Sequence, residues 1–346
     1  MTTTAWVQRL LKLLKALGKG FLVFLVCAVI LGTAFEMRAR RIAHETYPPR
    51  GQLVDIGGRR MHLDCRGEGS PTVILESGLD SNGSLAWSLV HDPLSALTRV
   101  CAYDRAGVMW SDGKPGIQDA DAVADDLHAM LQAAGIQGPL VLVCHSLGGP
   151  YLMDFTRRYG DEVEGLVFVD CSHADQIERL SKFPAPDAVP LAYRVLNALA
   201  FTGIARLLPA DAPPELPADA AAKGHAYLAE TMGGSLKEMG AIRATLREAG
   251  ELRDLGDRPL VVLTAMKPYP KELLATIGLT QEDGLQMQQE WEKLGLDEAS
   301  WSRHSRHESI ADSQHYIQLQ RPDRVIAAVT EVVGAVRARA PLQTGP

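Results

Sequence analysis

The segment Leu140-Val141-Leu142-Val143-Cys144-His145-Ser146-Leu147-Gly148-Gly149 carries the strongest chemical signal in the chain. An apolar, β-branched run meets a hydroxyl flanked by small residues, and a helical pattern follows. A serine on a tight strand-to-helix turn projects its Oγ above the sheet edge, and the turn crowds the positions two before and two after it. Gly148 meets that demand fully, Cys144 only in part. The next helix brings its first amides and its dipole close to any negative charge developing on a substrate. Such a Ser146 could attack an acyl carbon once a base takes its proton. The bland alternative is a serine at an ordinary helix start.

Ten histidines compete to be that base. His145 lies inside the turn, facing away from Ser146, and reads as ordering it. His304 and His307 fall in a polar, Ser- and Arg-rich stretch that reads as solvated loop, while His62, His91 and His128 are isolated. His315 sits late in the chain, past the last strand expected and just before a Pro-initiated helix. No HxxxH or carboxylate cluster suggests a metal.

Positioning these groups requires a scaffold, and the chain spells one out. Gln52 to Ile56, Gly57-Gly58 and Arg60 to Cys65 read as a hairpin. From Pro71, β-branched runs alternate with helical patterns: Thr72–Leu75 and Leu85–Leu97, Val100–Tyr103 and Ala120–Ala134, Leu140–Val143 and Gly149–Tyr159, then Leu166–Val169. Alternation of this kind implies an α/β fold, a mostly parallel sheet covered by helices on both faces. Between Ser172 and Gly256 the strand signal vanishes, and helical segments are separated by breaks at Pro184–Pro190, Pro209–Pro217 and Gly233-Gly234. This stretch reads as an inserted helical cap, whose apolar run from Leu191 to Leu208 is expected to pack over the core, with lining an acyl pocket as the alternative. Leu260–Thr264 resumes the alternation and a helix from Pro322 to Arg337 closes it.

Around Ser146 the sequence resembles the α/β-hydrolase superfamily, whose nucleophile turn reads G-x-S-x-G. Val73 to Leu79, Cys101 to Gly107 with Trp110-Ser111-Asp112, and Ser313 to Ile317 followed by Pro322 fall where this family carries related segments. The resemblance extends from Gln52 to Val336, with the cap divergent. It departs at Cys144 and at Gln314, where the family usually has glycine, and in the loop after Leu260–Thr264, which lacks the usual Asp.

The resemblance implies the chain order Ser, acid, His, with His315 as general base. The acid stays open among Asp170, which closes the strand Leu166–Val169; Glu272, which also reads as a first-turn helix carboxylate; and another such as Asp283. It further implies an oxyanion hole made by the amides of Leu147 and of Leu79, with Gly78 turning the latter into the site. Asp104, Arg105 and Gly107 read as ordering the loop after their strand. No cofactor is implied.

Gly20 to Phe35 contains no charged residue and is flanked by Lys12, Lys15 and Lys19 before it and Arg38, Arg40 and Arg41 after it. At about 1.5 Å per residue it spans about 24 Å, marginal against a hydrocarbon core of about 30 Å. A retained anchor, a cleaved signal ending near Gly32-Thr33-Ala34 and a core helix are the three readings. Counting Arg9, Lys12, Lys15 and Lys19 before the run against three arginines and Glu36 after it, the excess of positive charge places the N-terminus in the cytoplasm and the catalytic domain outside. Cys65, Cys101, Cys144 and Cys171 read as small core residues, so the cysteines fix no redox compartment.

The expected organisation is a membrane anchor or signal segment plus linker over 1–46, a hydrolase core over 47–172 and 257–346, and the cap over 173–256. A net charge of -7 with no basic stripe argues against nucleic acid. The expected activity is hydrolysis of a small, lipophilic carboxylic ester through an acyl-enzyme on Ser146. Amide, thioester and carbon–carbon hydrolysis on the same scaffold are alternatives, as is a non-catalytic membrane-tethered binding protein.

Overall fold

The computed structural model describes residues 3–180, 188–208, 212–339 and 342. Its sheet is assembled from β1 (Gln52–Asp55), β2 (Arg60–Arg66), β3 (Thr72–Glu76), β4 (Val100–Tyr103), β5 (Leu140–His145), β6 (Val163–Val169), β7 (Leu260–Ala265) and β8 (Ser305–Ile310). The strands lie in the order β1-β2-β4-β3-β5-β6-β7-β8. β2 pairs antiparallel with β1 and β4, and every pairing from β4 to β8 is parallel.

The helices are α1 (Thr3–Thr46), α2 (His91–Ser95), α3 (Ala120–Ala133), α4 (Gly148–Tyr159), α5 (Gln176–Arg179), α6 (Leu191–Leu199), α7 (Ala218–Ala249), α8 (Lys271–Thr276), α9 (Gln281–Ser300), α10 (Ile317–Gln320) and α11 (Pro322–Ala338). Alternate residues of each central strand divide between two cores. Ile74, Leu142, Phe168 and Val262 pack with α3 and α4 residues such as Leu127, Met130, Leu152 and Phe155. Val73, Val141, Val167 and Val261 face the other way, onto Val325, Val329 and Val332 of α11. Strands buried on both faces need uninterrupted apolar runs, and that is why these strands stand out in the sequence.

Several expectations are corrected. β8 was read as loop because it is a polar, half-exposed edge strand with no apolar alternation; its pairing with β7 alone defines it. The helix expected over Leu85–Leu97 is broken into a 3-10 turn at Gly83–Trp87 and α2. Pro93 has no N–H to give to Leu89, so a continuous helix through this point would lose a bond and clash. Gly233-Gly234 does not interrupt α7, which runs through it. A Cβ on Gly234 would lie 2.4 Å from the Gly107 carbonyl oxygen, so the glycine admits a neighbouring backbone to an intact helix. The break at Pro184–Pro190 lies mostly outside the described residues, as does part of the one at Pro209–Pro217.

Two of the cysteines are not free core thiols. Cys65 and Cys101 are register partners on antiparallel β2 and β4 and form a disulfide. Their separation of 36 residues hid this, since only strand pairing brings them together. α1 does not end with the apolar run but continues to Thr46. The apolar run of the cap, expected to pack over the core, instead turns its large side chains outward.

Candidate active site

Three chain segments meet where the parallel strands end in their C-terminal direction, the edge at which open α/β sheets place their chemistry. Ser146 follows β5 with φ +53°. A non-glycine residue there costs about 1–3 kcal/mol and persists only when its surroundings hold it. Here the Ser146 carbonyl accepts from the amides of Gly149 (3.0 Å) and Ser172 (2.8 Å). A Cβ on Gly148 would fall 2.8 Å from the Glu76 carbonyl oxygen, and one on Gly78 would fall 2.8 Å from the Ser146 Cβ. The β3 loop therefore lies directly against the serine.

Cys144 is accommodated because its thiol points into the core, 2.8 Å from the Cys171 sulfur. Burial pushes both thiols up, which keeps them protonated and unreactive.

Asp170 ends β6 at φ +48°, with its side chain buried. Its Oδ2 lies 2.7 Å from His315 Nδ1. Its Oδ1 accepts from the Ala265 amide and from Trp291 Nε1, both at 2.8 Å. Trp291, on α9, had no sequence signal, since 121 residues separate it from the carboxylate it orients. Glu272 is exposed in the first turn of α8. Asp283 belongs to the capping box of α9, accepting from the Thr280 hydroxyl at 2.6 Å. Of the three candidate acids, Asp170 is the one hydrogen-bonded to His315.

With Nδ1 engaged by a carboxylate, His315 carries its proton there and leaves Nε2 as the basic nitrogen. The ring packs on that of His145, centroids 4.5 Å apart. Burial, then the neighbouring His315, holds His145 well below the usual imidazole value. His145 is therefore neutral, and because a carbonyl can only accept, its Nε2 donates to the His315 carbonyl at 2.9 Å. Gln314, in the usual glycine position, is not among the positive-φ residues, so its backbone does not require glycine, and its backbone N–H donates to Gln320 Oε1 at 2.7 Å.

Arg105 does more than order its own loop. Its buried guanidinium donates to the carbonyls of Ser77 (2.7 Å) and Gly78 (2.8 Å), the residues that lead into Leu79. It also pairs with Glu76 on β3 and with Glu238 of α7 in the cap (2.7 Å). Both sides of the Glu76 pair shift upward, which favours the charged form of Arg105 and the neutral form of Glu76. Burial alone would lower Arg105, but Glu238 and Glu76 hold it firmly cationic; burial pushes Glu76 up to about 7 against the pull of Arg105 and Tyr103. Two carboxylates share one guanidinium, and the surplus negative charge favours a retained proton on Glu76. Leu79 and Leu147 lie together in one small apolar cluster beside Tyr151.

A cavity of about 1000 Å³ lies at the opposite sheet edge, near Gly138 and Arg258, and one of about 630 Å³ lies between α1 and the cap. Neither is lined by Ser146, Asp170 or His315.

One cluster among the described residues has metal-ligand chemistry: His173, Asp175 and Asp297. It went unseen in the sequence because 124 residues separate His173 from Asp297, which lie 2.8 Å apart. Arg253 supplies the cation there, 2.5 Å from Asp175 and 3.8 Å from Asp297.

A profile of the alpha/beta hydrolase family matches residues 73–328. The chain belongs to the alpha/beta hydrolase family. An uncharacterized protein of Schizosaccharomyces pombe is 32% identical over 162 residues, 38% of this chain and 30% of that protein. An uncharacterized vacuolar membrane protein of Saccharomyces cerevisiae is 31% identical over 108 residues, covering 30% of this chain and 17% of its own length. The chain thus spans well under half of these relatives. Among solved structures, an esterase from Thermogutta terrifontis superposes with a TM-score of 0.51 at 22% identity, over 82% of this chain and 97% of that one. That likeness concerns the fold.

Proposed function

We propose that the chain is a serine hydrolase that cleaves a lipophilic carboxylic ester through an acyl-enzyme. The observation carrying this reading is the Asp170–His315 hydrogen bond of 2.7 Å at the sheet edge where Ser146 is held at positive φ. In this reading His315 Nε2 takes the Ser146 proton as Oγ attacks the ester carbon. The carbonyl π electrons move onto oxygen, and the amides of Leu79 and Leu147 stabilise that charge by about 3 kcal/mol each. His315 then returns the proton to the departing alcohol. Water, deprotonated by the same imidazole, frees the acyl group. Asp170 fixes the tautomer and stabilises the transient imidazolium. No cofactor takes part.

The binding-protein alternative draws on the Cys144 and Gln314 departures and the missing Asp after β7, and the Asp170–His315 contact together with the burial of the Cys144 thiol in the core weighs against it. The proposal also places α1 across a membrane with the catalytic domain outside the cytoplasm. Support comes from the exposure of its apolar residues, Phe21 to Leu31, which no other part of the described chain covers. The Cys65–Cys101 disulfide agrees, since such bonds persist in oxidising compartments.

The substrate class is tested with p-nitrophenyl esters from acetate to palmitate, using the full chain in detergent. The expected kcat/KM rises with chain length beyond butyrate, each buried methylene adding up to about 0.8 kcal/mol before the pocket is filled. A steady decline from acetate would refute the lipophilic reading.

A further inference from the structure

We infer that the outer face of the cap is a second membrane-contacting surface, seated in the same leaflet boundary at which the apolar run of α1 ends. This rests on the reading of α1 as a membrane span and adds a partner surface to it.

The cap segment Leu191–Leu208 reverses the usual division of a soluble helical subdomain. Small residues, Ala200 and Ala205, face inward onto Ala229 and Met232 of α7. Of the large apolar ones Leu196 packs inward with them, and most of the others face outward: Leu191 is 72% exposed, Leu207 82%, and Tyr193, Val195, Phe201 and Ile204 are all exposed. Water-facing patches of this extent mark an interface rather than a free surface.

The occupant follows from where the patch lies. Gly32 of α1 meets the cap so closely that a Cβ there would lie 2.6 Å from the Thr202 carbonyl oxygen, and a Cβ on Gly203 would lie 2.7 Å from the Phe35 ring. One residue further, the buried Glu36 carboxylate pairs with Arg206 of the cap at 2.6 Å and with Arg40 at 2.8 Å. The cap is therefore clamped to α1 where the uncharged run stops and arginines begin, and His44, further along α1 on the side away from the run, pairs with Glu230 of α7 at 3.2 Å. Residues held at that depth beside a spanning helix meet the headgroup and upper acyl region. Aromatic and aliphatic side chains such as Tyr193, Phe201 and Leu207 suit that region, and the exposed Arg38 and Arg41 suit lipid phosphates. The apolar patch is thus continuous with the lipid-facing surface of α1.

The test uses the full chain with Cys27→Ala, reconstituted in phosphatidylcholine–phosphatidylglycerol nanodiscs and labelled with nitrobenzoxadiazole at a single introduced cysteine. Three sites are compared: Leu207→Cys on the cap, Leu25→Cys within the apolar run, and Ile117→Cys, an exposed apolar position on the core. We expect Leu207→Cys to shift to the blue and to be quenched at least twofold by shallow doxyl lipids. Leu25→Cys should be quenched by deep doxyl lipids and Ile117→Cys by neither. If the Leu207 probe behaves like the Ile117 probe while Leu25 is quenched, the cap proposal is overturned and the span stands. If Leu25 also stays unquenched, the membrane reading beneath it is overturned as well.

Discussion

Asp170→Asn lowers kcat by about three to four decades with KM little changed, because the amide favours the wrong imidazole tautomer and no longer stabilises imidazolium. The carboxylate accepts from His315, Ala265 and Trp291, which fix its orientation through both oxygens. Glu272→Gln, on the exposed first turn of α8, leaves kcat unchanged. Steady-state kinetics on any hydrolysed ester checks the pair. If Glu272→Gln produced the loss and Asp170→Asn did not, the assignment of the acid would be wrong, and the contact in the structure would be incidental.

Arg105→Met is expected to damage both stability and turnover. Methionine keeps the apolar volume of the stem but leaves Glu76 and Glu238 buried without their common cation, a loss of about 3–5 kcal/mol for a broken buried pair. It also releases the carbonyls of Ser77 and Gly78, so the Leu79 amide drifts from its oxyanion position. A misplacement near 1 Å costs about a hundredfold in kcat. Urea unfolding and kinetics measure the two effects separately. Adding Glu238→Gln to Arg105→Met should restore part of the stability, since it removes one stranded charge, yet none of the turnover. Unchanged unfolding and unchanged kcat in the single variant would show that the network orders nothing.

The central strands and the turn that carries Ser146 were legible in the sequence because burial on both sheet faces and a crowded strand-to-helix turn leave contiguous marks, as in Leu140–Gly149. It left the acid open, since the loop in which the family usually carries it, after β7, holds no Asp; the choice depends on which carboxylate the fold brings to His315. Trp291, the reach of Arg105 to Glu238 and the Cys65–Cys101 bond are all contacts between distant segments, with no local pattern to announce them. β8 was missed for a different reason. An edge strand half in water can be polar, and Ser305–Ile310 obeys no apolar period. The cap was legible as helical, but the outward face of Leu191–Leu208 was not, because amphipathic spacing does not say what the apolar stripe meets.

The central claim concerns the Ser146 hydroxyl. Peptide mapping after treatment of the full chain with a fluorophosphonate tests it directly. One adduct on Ser146, absent in Ser146→Ala and greatly slowed in His315→Ala, is the predicted result. Folded wild-type protein that takes no adduct, or an adduct that survives in Ser146→Ala, would contradict it.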